Sequence, residues 1–259
     1  MGDPREAFQM LFYRALARAA GTRRYALKGG ACLRFHHASP RLSEDIDFDV
    51  GEAVSTDDLA LWVGRILESR AFSTSLGPAG IASLEVQPRS SRKQTETTQR
   101  WKVGLRLASG VRVSSKAEFS RRGGPVAQAA SGPPRPHVLS THGVEVFVGR
   151  YYDGVTMAAL KVEALAAPSR TAVRDLFDLH LLLSQGGVAS DLLAARCSSD
   201  ALRAAAGKIT THTRERFIAE AAPFLPPELA ADLAERWDDV QLAITDALER
   251  AASAQGKGQ

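Results

Sequence analysis

The sequence predicts an α+β fold: a mixed sheet with flanking helices over residues 1–152, then a helical part over residues 153–259. Three observations carry that expectation. Strand-like runs, two of them joined by the hairpin signal Ser109-Gly110, fall in the first part. From Thr156 onward the apolar residues recur at helical spacing. Early in the first part the stretch DIDFD puts an acid at every second position of an apolar run. As a strand it gives Asp45, Asp47 and Asp49 one face and Ile46, Phe48 and Val50 the other.

The elements follow in order. Residues 7–20 form an alanine-rich helix with Phe8, Leu11, Phe12 and Leu16 on one side, stopped by Gly21. Tyr25-Ala-Leu is a short apolar run leading into Lys28-Gly29-Gly30. Residues 31–37 read as a helix ending before Ser39-Pro40, and residues 45–50 as the acidic strand. Ser55 caps an amphipathic helix reaching about Arg70, with Leu59, Trp62, Val63, Ile66 and Leu67 facing inward. Strands are expected over 83–87, 101–108, 111–119 and 144–148, with a Gly/Pro/Ala loop over 123–136. Helices are expected over 156–167 and 171–184, as a set between 190 and 224, and as one long helix from 227 to about 252. The Gly/Lys/Gln tail reads as frayed.

Composition narrows the class. A chain of 259 residues with 44% apolar and 24% charged residues has the make-up of a globular protein able to bury a core. No run approaches the roughly 20 apolar residues of a membrane span, and the start MGDPREAFQM lacks the apolar core of a signal peptide. The two cysteines, Cys32 and Cys197, have no metal-ligand spacing, so a reducing cytoplasm is the expected location. Charge is unevenly spread. Residues 89–122 hold ten Lys/Arg against two acids, whereas residues 190–250 hold eleven acids against seven bases. The basic stretch fits a protected sheet edge and a phosphate-binding surface equally well.

Three acids on one strand face repel one another unless a cation sits among them. Carboxylates at i and i+2 offer hard oxygen ligands suited to Mg²⁺ and its substrate phosphates. Solvated acids on an edge strand are the bland alternative, and D-x-D alone does not exclude it. The Gly29-Gly30 pair adds a second signal, because glycines before a helix let backbone amides approach a phosphate. A strand, a glycine pair, a short helix and an acidic strand, in that order, bring phosphate-gripping amides next to a metal dyad. That arrangement suits nucleotidyl transfer.

These residues resemble the first motif of the AbiEii/AbiGii toxin family, which includes the MenT-like toxins. The likeness rests on Gly29-Gly30 followed by Ala-Cys-Leu-Arg34, then Arg41-Leu-Ser43-Glu-Asp45-Ile-Asp47-Phe. Lys116-Ala-Glu118 resembles the second motif of the family. Met157-Ala-Ala-Leu-Lys161 with Arg174-Asp175-Leu-Phe-Asp178 resembles its helical motifs, so the likeness runs from about Tyr25 to Leu183. It implies a polymerase β-like nucleotidyltransferase core with a C-terminal helical bundle contributing a lysine and an aspartate to the active site.

The roles it implies are specific. Asp45 and Asp47 bind Mg²⁺, with Mn²⁺ as a substitute, and Glu118 is a third metal-side carboxylate or simply an outward-facing glutamate. Lys28, Gly29, Gly30, Ser43 and Lys161 hold the nucleoside triphosphate, although Ser43 could equally shape the turn and Lys161 could lie along the surface. Asp175 is an active-site acid that orients Lys161 or serves the acceptor hydroxyl; Arg41, Arg174 and Asp178 support. Asp49 is the least expected ligand. The expected activity is that of the toxin of a toxin–antitoxin system, an NTP-using nucleotidyltransferase that modifies RNA. The expected target is the 3′ acceptor end of tRNA, which blocks translation and growth, and an antitoxin protein is the expected partner. Transfer to a protein or small molecule, or nucleotide binding without catalysis, remain the alternatives.

Overall fold

Helix formation begins at Asp3, whose carboxylate accepts hydrogen bonds from the amides of Arg5 at 2.7 Å and Glu6 at 3.1 Å and so caps helix α1 (Pro4–Ala20). The structure, a computed structural model, describes residues 2–21, 24–87, 95–169, 171–185 and 187–256. The backbone divides into two units, Met1–Ala38 with Leu42–Tyr152, and Ser39–Arg41 with Asp153–Gln259.

The first unit is built on a seven-stranded sheet. Its strands are β1 (Tyr25–Lys28), β2 (Asp45–Val50), β3 (Ile81–Val86), β4 (Thr98–Leu107), β5 (Arg112–Ser120), β6 (Ala130–Gly132) and β7 (Gly149–Tyr151), in the order β3-β4-β5-β2-β1-β7-β6. Strand β2 is therefore interior, parallel to β5 on one side and antiparallel to β1 on the other. Its apolar face carries the core. Phe48 stacks on Phe119 at 5.0 Å between ring centres, and Phe12 of α1 closes on both rings at 6.3 and 6.4 Å. Burying each such ring contributes about 1.5–3 kcal/mol, so α1 is held to this face by apolar packing. Helices α2 (Gly29–His36), α3 (Thr56–Leu67), α4 (Arg70–Ser75) and α5 (Pro136–Thr141) complete the unit.

The second unit contains α6 (Gly154–Ala166), α7 (Val173–Ser184), α8 (Ser190–Ala194), α9 (Ser199–Ala206), α10 (Arg214–Glu220), α11 (Pro227–Glu235) and α12 (Trp237–Gly256). Asp153 caps α6 through the amide of Thr156 at 2.7 Å. Trp237 stacks on Phe217 at 4.4 Å, and its indole N–H donates to the carbonyl of His212 at 2.7 Å.

Four expectations need correction. The single helix from 227 to 252 is two, because the chain leaves helical geometry at Arg236 and restarts at Trp237, whose buried ring is fixed elsewhere. The helix expected to reach Arg70 ends at Leu67, and Ser69 caps a separate α4. The strand expected at 144–148 lies instead at Gly149–Tyr151, where β1 and β6 offer partners; Val146 and Val148 are exposed. The loop expected over 123–136 contains β6, which is paired with β7. The frayed tail falls at residues 257–259, outside the described residues. Among the described residues no helix is long and apolar enough to cross a membrane.

Candidate active site

The polar face of the sheet explains how three aspartates share one strand. Strand register sets Lys28 of β1 opposite Asp47, Asp47 opposite Glu118 of β5, and Glu118 opposite Arg100 of β4. The next row pairs Asp45 with Lys116, and Lys116 with Lys102. Cations thus stand on both sides of the acids. Lys116 reaches Asp45 at 2.7 Å, Lys28 reaches Asp49 at 2.5 Å and Arg100 reaches Glu118 at 2.5 Å.

Asp47 is the exception: it has no ion-pair partner among the described residues. Burial pushes its carboxyl up to about 6, and the charges of Asp45 and Glu118 add to the rise. A raised carboxyl between two like charges is the electrostatic signature of a site that favours a cation. Asp45 keeps 30% of its side chain exposed, so the pair is accessible. Asp45 and Asp47 supply the hard oxygen donors that a divalent ion requires, so these residues fit one. Among the described residues no three His, Cys, Asp or Glu side chains form a ready-made metal cluster. Glu118 stands beside Asp47 but is committed to Arg100.

The turn from β1 into α2 is shaped around this carboxylate. Gly29 has φ +69°, and a Cβ there would lie 2.8 Å from Asp47 Oδ2. Only glycine meets both conditions without strain. No side chain caps α2, so its first-turn amides, Gly30 among them, lack side-chain acceptors and favour an anion. Ser43 does not point its hydroxyl into open space: Oγ donates to the carbonyl of Asp45 at 2.8 Å, and Gln9 donates to the Ser43 carbonyl at 2.9 Å. That geometry shapes the entry to β2.

Asp49 is buried, and besides Lys28 it accepts from the Tyr152 hydroxyl at 2.9 Å. Burial and the adjacent Asp49 charge drive the Tyr152 hydroxyl well above its usual range, so it stays a proton donor. Asp49 therefore anchors Lys28 beside the glycine turn. Sequence reasoning missed this role, because Tyr152 lies 103 residues away and the i+4 position on β2 gave no sign of a partner.

In the helical unit, Lys161 of α6 is buried and donates to Asp175 Oδ1 at 2.6 Å, with Asp178 Oδ2 also at 2.6 Å. Arg41, which belongs to the same unit, places its guanidinium fork on Asp178 at 2.9 and 2.8 Å. Asp175 and Asp178 sit three apart on α7 and so share a face. Burial alone would raise the Asp178 carboxyl, but Lys161 and Arg41 outweigh it and hold it below its usual value. Burial would likewise lower the Lys161 ammonium, yet Asp178 and Asp175 raise it, so it remains charged. Two of its three N–H groups are engaged. Arg174 turns instead to the Phe224 ring, 5.1 Å from its centre. Lys28, Gly29, Gly30, Ser43, Asp45, Asp47 and Glu118 thus lie in the sheet unit, and Arg41, Lys161, Arg174, Asp175 and Asp178 in the helical one.

Comparison with known proteins supplies the class. No curated protein matches the chain in sequence. Among solved structures, JHP933 of Helicobacter pylori shares the fold with a TM-score of 0.60 and 19% identity, over 98% of this chain and 93% of that one. The nucleotidyltransferase toxin MenT4 of Mycobacterium tuberculosis shares it with a TM-score of 0.54 and 15% identity, over 96% and 93%. A family model described as the nucleotidyl transferase AbiEii toxin of type IV toxin–antitoxin systems matches residues 11–254. With its mixed seven-stranded sheet, its acidic strand beside a glycine turn and a match over nearly its whole length, the chain belongs to the AbiEii family of nucleotidyltransferase toxins.

Proposed function

We propose that this toxin transfers a nucleotide from a nucleoside triphosphate to RNA, at the 3′ acceptor end of tRNA, using Mg²⁺ held by Asp45 and Asp47. The observation that carries the reading is Asp47: a raised, unpaired carboxylate beside Asp45, pressed against the backbone of Gly29. Mn²⁺ suits the same oxygens. A divalent ion there would neutralise the dyad and polarise the phosphoryl oxygens.

The chain's own groups take the remaining tasks. The amides of Gly29 and Gly30 at the start of α2 receive the polyphosphate, with Lys28 beside them. Within the helical unit, Asp175 and Asp178 keep Lys161 charged, the state in which an ammonium holds phosphate. The acceptor hydroxyl oxygen bonds to the α-phosphorus as the bond to the bridging oxygen breaks. Pyrophosphate leaves with the electron pair, and the hydroxyl proton passes to solvent. Glu118 and Arg174 are supporting groups, as is the Arg41–Asp178 pair.

The cations of β4 and β5 favour an RNA acceptor over a small cationic one, since Lys102, Arg106, Arg112 and Lys116 all lie on the polar sheet face. A tRNA extended at its 3′ end accepts no amino acid, which stops translation in the cytoplasm until an antitoxin protein counteracts the toxin. The test is incubation of purified protein with each labelled triphosphate, total tRNA and Mg²⁺. The expected result is nuclease-sensitive label at the RNA 3′ end, abolished by Asp45→Asn. Label that survives nuclease overturns the RNA acceptor, and triphosphate bound without turnover overturns the transferase reading.

A further inference from the structure

The order of strands fixes the direction from which the acceptor arrives. In-line phosphoryl transfer sets the attacking oxygen opposite the leaving one. With the polyphosphate on the Gly29 side, over β1, the attacking hydroxyl enters from the opposite side of β2, across β5. There the polar face of the sheet carries an open trough of about 700 Å³. It starts at Asp45 and Lys116 and extends over β4 to Glu85 and Gln87 at β3. The volume falls within the range of sites that take small organic ligands.

The floor of the trough is built for a flat group. Gly104 and Ser114 stand opposite each other in register, so no long side chain rises from either. A Cβ at Gly104 would come within 2.9 Å of Arg112 Nε, so the glycine is what lets the Arg112 guanidinium lie across the floor. Glu85 holds that guanidinium at 2.7 Å and takes Arg106 at 2.5 Å on its other oxygen. Arg112 remains 61% exposed at its side chain, which leaves a guanidinium plane open for stacking. Guanidinium planes are surfaces on which unpaired RNA bases stack. Lys102 lines the same trough, is exposed and has no ion-pair partner among the described residues. A free cation beside a stacking plane matches a nucleotide with its backbone phosphate.

We propose that this trough seats the single-stranded 3′ end of the acceptor RNA, with a base on Arg112 and a phosphate on Lys102. The assignment rests on the RNA acceptor proposed above. The experiment measures KM for tRNA and for the triphosphate separately, over a range of salt, in wild type, Lys102→Ala and Arg112→Lys. Loss of one phosphate contact lowers the slope of log affinity for RNA against log salt by about 0.7, as expected for a single strand. Lys102→Ala should show that drop with a rise in the tRNA KM of about tenfold, while the triphosphate KM stays within about twofold. Arg112→Lys should raise the tRNA KM with the salt slope unchanged, because charge is kept and the plane is lost. A triphosphate KM that rises in place of the tRNA KM overturns the assignment, as do unchanged values for both variants. Wild-type protein that labels no RNA overturns the acceptor reading itself, and the trough assignment with it. The preserved triphosphate KM also reports that the variants fold.

Discussion

At the scale of single residues, Asp47 is a carboxylate held against its ordinary titration by burial and by the charges of Asp45 and Glu118. Its carboxyl is raised to about 6 from an ordinary value of 3.8, so the folded chain holds a proton there that the unfolded chain has lost. Stability is then greatest below pH 4 for this group, falls as pH rises from 4 to 6, and stays reduced above that. A shift of this size corresponds to about 2–3 kcal/mol at neutral pH. Asp47→Asn removes the charge and keeps the shape, so with chelator present it should melt at a higher temperature than wild type at pH 7.5. The difference should close as pH approaches 4. Melting curves that coincide at every pH would sink this account. Activity lost together with stability gained is the trade that the proposed catalytic role of Asp47 predicts. The alternation of DIDFD made the shared face of these acids legible in the sequence. What made them tolerable was not legible, because Lys116, Lys28 and Tyr152 reach them across strands.

At the scale of elements, the proposed phosphate seat beside the dyad depends on the junction of β1 and α2. Gly29 meets two demands at once, a φ of +69° and a carboxylate oxygen where a side chain would start. Gly29→Ala should cost about 1–2 kcal/mol from the left-handed backbone alone. It also pushes Asp47 aside, and a displacement of this kind can reduce a rate a hundredfold. The expected outcome is a folded protein by circular dichroism with nucleotide incorporation down at least about tenfold. Full incorporation by the alanine variant would remove the turn from the mechanism. The order of strand, glycine pair, short helix and acidic strand marked this junction in the sequence, where a glycine pair alone is as often just a turn. The break at Arg236 was hidden, because neither glycine nor proline marks it and Trp237 is held by a carbonyl in a distant turn. The register of β7 was hidden for the same reason: three residues of strand exist only because β1 and β6 supply the ladder.

At the scale of the whole molecule, the chain assigns Ser39–Arg41 to the helical unit although the residues on either side belong to the sheet unit. Arg41 and Asp178 are 137 residues apart and both buried, so their pair is a tertiary feature with no local counterpart. Asp178→Ala would remove the carboxylate that Arg41 and Lys161 share, and breaking a buried ion pair by removing one partner costs about 3–5 kcal/mol. Thermal denaturation should show a fall of roughly 6–20 °C. Glu220→Ala should change it little, because the Arg216–Glu220 pair is partly exposed at the surface and such pairs contribute about 0–1 kcal/mol. Equal shifts in the two variants would show that the buried network does not hold the unit. The class of fold, the acidic strand, the glycine turn and the family were readable from the residues alone, because periodicity and motif spacing are local and survive in one dimension. Folding was needed to make β2 interior, to neutralise Asp45 and Asp49 while Asp47 is not, and to close Arg41, Lys161, Asp175 and Asp178 into one network. Those are facts about register and burial, and register and burial depend on residues that meet only once the chain has folded.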